Sequence, residues 1–171
     1  MKKKRILAMF LAVASCLSLA VSASAANAVN RKATDFRDFD RTAWYAEAVS
    51  AAVDNGLLYG KSSAIIDPNG DMTRAEMAAI INRSFGCYKT ADISQYNDVS
   101  KSKWYYKDVA LAVQMGTYNG RSNSSMAPDA PITRQEAMTV VARALELDYD
   151  SYSKTKLTQF SDAGKISAWA L

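Results

Sequence analysis

Met72-Thr73-Arg74-Ala75-Glu76 and, sixty residues further on, Ile132-Thr133-Arg134-Gln135-Glu136 decide how this chain folds. Each is a capping box. The threonine hydroxyl accepts from the backbone N–H three residues on, and the glutamate carboxylate reaches back to the threonine N–H. Apolar residues at helical spacing follow: Met77, Ile80, Ile81 and Phe85 after the first box, Val140, Val141, Ala144 and Leu145 after the second. Gly86 supplies a stop for the first helix.

Working outward, the two boxes belong to a longer repeat without gaps. At the same offset Asp38 matches Asp98, Trp44-Tyr45 matches Trp104-Tyr105, and Ala52-Val53 matches Ala112-Val113. Gly56, Gly60, Pro68, Glu76 and Arg83 match Gly116, Gly120, Pro128, Glu136 and Arg143, and Lys61 matches Arg121. Within a unit, Trp44, Tyr45, Ala48, Val49, Ala52 and Val53 form the apolar face of a first helix, which Asn55-Gly56 ends. A loop rich in glycine, proline and asparagine leads to the capped second helix. The segments 87–96 and 148–156 read as polar connectors. The chain is thus expected to be all-α, built of helix-loop-helix repeats over residues 36–86 and 96–147. A third copy starts at Phe160-Ser161-Asp162, and its Trp169 begins a helix that stops at Leu171; this truncated unit spans 158–171.

Residues 1–25 read differently. Lys2 to Arg5 are basic, Ile6 to Val21 carry no charge, and Ala23-Ser24-Ala25 is a small-residue cleavage site, the pattern of a secretory signal peptide. Val13-Ala14-Ser15-Cys16 also fits a lipoprotein cleavage box that would leave Cys16 lipidated. Removing residues 1–25 removes four of the 21 Lys+Arg and none of the 17 Asp+Glu, leaving 17 of each. The basic excess therefore belongs to the leader, and no nucleic-acid partner is expected. No membrane span is expected after cleavage. Cys87 remains alone, so no internal disulfide is expected. The absence of histidine excludes Ser-His-Asp and Cys-His chemistry and removes the commonest metal ligand. The chain is expected to be no enzyme and to need neither cofactor nor metal. Asp67-Pro68-Asn69-Gly70-Asp71 hints at calcium, but the twelfth position from Asp67 is Ala78 rather than a bidentate glutamate.

Arg74 and Arg134 occupy the first helical position, where the dipole disfavours a cation by about 0.3–1 kcal/mol. Two readings stand. Each is a solvated arginine packing its stem, or each joins the free N–H groups of the helix terminus to bind a carboxylate or phosphate. Under the second reading, losing Arg74 should weaken binding and leave thermal stability unchanged or slightly raised. Trp44 and Trp104 are core residues or sugar-stacking rings, and Tyr45 and Tyr105 are read as core. Asp38 and Asp98 are read as cap or turn residues rather than catalysts.

The order Asp-aromatic, Trp-Tyr, Ala-Val, Asn-Gly, Gly, Pro, Thr-Arg-x-Glu resembles the S-layer homology family of bacterial cell-envelope proteins. The match covers Asp38 to Arg83, Asp98 to Arg143 and the piece from Phe160. The resemblance implies a non-covalent anchor in the cell wall at the cell surface, in which three units form a pseudo-threefold helical bundle. It implies that grooves between units bind secondary cell-wall polysaccharide carrying acidic groups, commonly a pyruvate ketal. Carried over, the binding residues are Arg74, Arg134, Trp44, Trp104, Asp38, Asp98, Gly60 and Gly120. The short third unit leaves at most one complete groove within the chain, so self-association through the incomplete repeat is expected. The alternative is that the chain is the targeting segment of a larger secreted enzyme or S-layer protein.

Overall fold

The structure is a computed structural model that describes residues 31–148 and 154–170. The signal-peptide reading and Cys16 lie outside the described residues. The protein is all-α. Among the described residues it has four α-helices, several short 3-10 segments and no strand, with one isolated bridge between Thr73 and Pro131. No described helix is long and apolar enough to cross a membrane.

The chain divides into two compact units at Pro68 and Asn69. The first holds a 3-10 turn, Ala33–Asp35, and helix α1, Ala46–Asp54. Its core is Ala33, Phe36, Val53 and Ile66, with Phe39, Val49 and Leu58 against it. The helix starts two residues later than its apolar pattern suggests. Tyr45 is its N-cap and offers no side-chain cap bond, so Trp44 and Tyr45 stand in the turn that enters it. Ala48, expected on the core face, is exposed.

The second unit holds α2, Arg74–Phe85, α3, Tyr106–Gln114, and α4, Arg134–Ala144. The sequence repeat and the compact units therefore divide the chain differently, because α2 closes the first repeat yet lies in the second unit. Both capping boxes form. Thr73 Oγ1 accepts from Glu76 N at 3.2 Å and Glu76 Oε2 accepts from Thr73 N at 2.7 Å, and Thr133 and Glu136 repeat this. Gly86 ends α2 in the left-handed conformation.

The buried face of α2 is not the bulky one. Ala75, Ala78 and Ala79 are buried with Ile81 and Asn82, whereas Met77 and Ile80 are half-buried and Phe85 is exposed. On α3, Ala110 and Ala112 are also buried, and α2 packs on α3 and α4. Small residues allow close backbone approach, and larger side chains from loops fill the remaining space. Ile93 and Tyr96 come from the segment read as a polar connector, and Tyr118 and Met126 come from the second loop; all four are core. On α4, Val140 and Ala144 are buried, Val141 is half-buried and Leu145 is exposed. The third copy forms 3-10 turns at Ala163–Lys165 and Ala168–Ala170 rather than the start of an α-helix. It docks on α4 through a reciprocal pair: Ser167 N donates to Gln135 Oε1 at 3.0 Å and Gln135 Nε2 donates to Ser167 Oγ at 3.2 Å.

Candidate functional site

The loop between α3 and α4 is fixed by Asp98. Its carboxylate accepts from Met126 N at 2.9 Å, Ala127 N at 2.7 Å and Ser125 Oγ at 2.7 Å. Ala127 has φ of +51°, a left-handed conformation that costs an L-residue about 1–2 kcal/mol. The carboxylate holds that strained N–H in place. In the first unit Asp38 does the same for Ile66 N and for Asp67 N, whose φ is +54°. Both aspartates are loop clamps that act 28 and 29 residues away, rather than helix N-caps.

Partial burial pushes the Asp98 carboxyl up, but the bonds from Met126, Ser125 and Ala127 outweigh it and hold it below its ordinary value of 3.8. A carboxyl whose pKa is lower in the folded state stabilises the fold above that ordinary value. This stabilisation is lost as pH falls through 3.8 and on through the lowered folded value. Asp98→Asn is therefore expected to lower stability by about 1–2 kcal/mol at neutral pH and to flatten the acid limb. Urea melts of both proteins between neutral pH and pH 3 check this, and parallel curves would contradict it.

The loop so held wraps the start of α2. Arg74 N donates to Ala130 O and Ala75 N to Pro128 O, each at 3.0 Å. The terminus expected to offer free N–H groups to an anion is instead answered by carbonyl oxygens. Arg74 is 5% exposed, so the solvated reading also fails for it. Its Nε donates to Met126 O at 2.9 Å, its Nη1 to Glu136 Oε1 at 3.0 Å, and its Nη2 lies 3.8 Å from Met126 Sδ. The guanidinium stacks 5.1 Å from the Tyr118 ring centre, and Tyr118 Oη donates to Arg74 O at 2.9 Å. Burial pulls the Arg74 pKa down, opposed by the Glu136 charge. Burial pushes the Tyr118 phenol up. Arg134, its repeat partner, is exposed.

Glu136 joins three elements. Besides capping α4 and pairing with Arg74, it accepts from Arg121 Nε at 3.1 Å through Oε1 and from Nη2 at 3.2 Å through Oε2. Burial raises its pKa, but the bonds from Thr133 and Arg121 and the Arg74 charge bring it below its ordinary value. Beside this triad lies a cavity of about 480 Å³, lined by Arg74, Tyr118, Gly120, Arg121, Glu136, Arg143 and Trp169 among others. Its wall thus carries three guanidiniums and one carboxylate, with an indole at its edge.

Of the residues expected from the sequence, Arg74 and Gly120 line this cavity, while Asp98, Trp104 and Arg134 do not. Gly120 is where the loop crosses Tyr96: a Cβ would lie 2.8 Å from that ring. At Gly60 in the first unit a Cβ would clash with the Phe36 ring. Trp104 is 59% exposed and sits edge-on to Tyr105, which is buried; burial and the bond to Asp129 push the Tyr105 phenol up to about 12. Trp44 is 94% exposed. The core reading therefore fails for both tryptophans and holds for Tyr105. Sequence reasoning assigned no ligand role to Arg121, Glu136, Arg143 or Trp169. Their signal was present: basic residues repeat at Lys61 and Arg121 and at Arg83 and Arg143, and Trp169 is the third tryptophan of the repeat.

The S-layer homology domain profile matches residues 35–78 and 95–138, about half of the chain, and the chain belongs to that family. It is similar to the surface-layer 125 kDa protein of Lysinibacillus sphaericus, at 32% identity over 137 residues, which is 78% of this chain and 12% of that protein. It is similar to an endoglucanase of Bacillus sp. (strain KSM-635), at 25% identity, covering 98% of this chain and 18% of the enzyme. It is also similar to exoglucanase XynX of Acetivibrio thermocellus, at 27% identity, covering 83% of this chain and 13% of the enzyme. The chain spans less than a fifth of the length of these relatives. Family membership makes this a cell-surface protein carrying a non-catalytic wall-anchoring domain.

Proposed function

We propose that the chain anchors to the cell wall by binding an acidic, pyruvylated secondary polysaccharide non-covalently in the cavity beside α4. The observation that supports this is the charge of its wall. Three guanidiniums face one carboxylate, an excess that favours an anionic ligand. Trp169, 56% exposed at the cavity edge, offers a ring face to sugar C–H groups and an N–H to a hydroxyl. Asp98 and Gly120 act by shaping the loop, and in the first unit Asp38 and Gly60 do the same. Trp44, Trp104 and Arg134 are exposed and are proposed to contact polysaccharide outside this cavity. The chain is expected to sediment with native cell walls and much less with walls stripped of their acidic substituents, as read by a pelleting assay. Equal binding to both would remove the electrostatic part of the reading.

A second reading is favoured by the relatives themselves. The stretch shared with the endoglucanase and exoglucanase is less than a fifth of each enzyme. We propose that the chain can serve as the targeting segment of a larger secreted enzyme or surface-layer protein. The genomic sequence downstream of the Leu171 codon tests this.

A further inference from the structure

We infer that Arg121, assisted by Arg143, contacts the acidic group of the ligand, and that Arg74 and Glu136 position it. The inference rests on the wall-polysaccharide reading of the same cavity. Arg74 is nearly excluded from solvent, and each of its three guanidinium nitrogens already holds a protein partner. A ligand carboxylate would have to displace Met126 O or Glu136 to reach it, leaving a buried acceptor unpaired.

Arg121 differs in each respect. Its side chain is 41% exposed. Glu136 holds it through Nε and Nη2, and Nη2 also lies 3.4 Å from Pro131 O. Nη1 donates to no described residue. A guanidinium gripped on one edge by a fixed carboxylate presents its remaining donors in one orientation, so little side-chain freedom is lost on binding. Arg143, from α4, lines the same cavity. It donates to Thr117 O at 3.3 Å and forms an ion pair with no described carboxylate. The single carboxylate in the wall is shared by Arg74 and Arg121, so the wall keeps a positive excess, carried on the accessible side by Arg121 and Arg143.

The test is calorimetric titration of the purified chain with two probes, a methyl glycoside bearing a pyruvate ketal and the same glycoside without it. Arg121→Gln is expected to weaken binding of the ketal probe about tenfold or more. It should lower the melting temperature only modestly, because Glu136 keeps Arg74, and should weaken the neutral probe far less than the ketal probe. Arg121→Lys keeps the charge without the fork and should recover only part of the loss. Glu136→Gln keeps a capping-box residue but releases Arg121 and removes the counter-charge of buried Arg74; measured where circular dichroism shows it folded, it should also weaken the ketal probe although the cavity becomes more positive. Arg74→Lys, measured where circular dichroism shows it folded, should lose less affinity than Arg121→Gln. Wild-type affinity in Arg121→Gln, or a larger loss in Arg74→Lys, overturns the assignment of Arg121. Tighter binding by Glu136→Gln overturns the positioning role, since it would make Glu136 a competitor of the ligand. A wild-type chain that does not distinguish the two probes removes the acidic-ligand reading itself.

Discussion

Arg74→Ala is expected to be among the most destabilising single substitutions in this chain. The Arg74–Glu136 pair is enclosed, with side chains 6% and 13% exposed, and breaking such a pair by removing one partner costs about 3–5 kcal/mol. The variant also strips the donor from Met126 O and the cation from the face of Tyr118. A drop in melting temperature of about 10 °C follows for a chain of this size. This reverses what the motif suggests, because the dipole term of about 0.3–1 kcal/mol is outweighed by the ion pair. Arg134→Ala, at the exposed counterpart, should stay within about 0.5 kcal/mol of the parent. Thermal melts of both variants decide it. Equal, small effects would mean that Arg74 does not hold the loop to α2.

Gly120→Ala is expected to be nearly as severe. Gly120 has φ of +76°, and a Cβ there would lie 2.8 Å from Ser122 O, 2.8 Å from the Tyr96 ring and 3.0 Å from Ser125 O. Two of these neighbours are backbone carbonyls in the segment tied to Asp98, so the loop cannot yield without releasing that clamp. Left-handed strain of about 1–2 kcal/mol and overpacking of about 1–3 kcal/mol add to a loss of roughly 3 kcal/mol. Arg121 is the next residue, so binding should fall together with stability. Denaturant melts and the pelleting assay on one preparation check both. A stable Gly120→Ala that binds normally would contradict the packing described for this loop.

The helical repeat was legible in the sequence because its signals are local. A capping box, a left-handed glycine and a helical apolar period each depend on residues a few positions apart, and the Thr73 and Thr133 boxes form as read. What faces a residue across the fold was not legible. Arg74 and Arg134 share one motif, yet loop carbonyls of Pro128 and Ala130 meet the start of α2, while α4 meets Ser167 through Gln135. The alanine face of α2 was hidden for a related reason. Hydrophobic patterning ranks Met77, Ile80 and Phe85 above Ala75 and Ala78, although close helix packing selects the small residues. The cavity was half visible. Arg74 and Gly120 carried the motif and Glu136 was read as a capping-box residue, whereas Arg121 and Arg143 stood only as repeated positions, since charge spacing in sequence does not show which carboxylate two arginines will share.

The proposed place of the acidic glycan is the cavity edged by Trp169. The most direct measurement is an NMR titration of the isotopically labelled chain with the pyruvate-ketal glycoside, following the three tryptophan indole N–H signals and the arginine Nε–H signals. The account predicts saturable shifts of the Trp169 indole and of Arg121 Nε–H, both absent with the ketal-free glycoside. Saturable binding that leaves the Trp169 and Arg121 signals unmoved would contradict it.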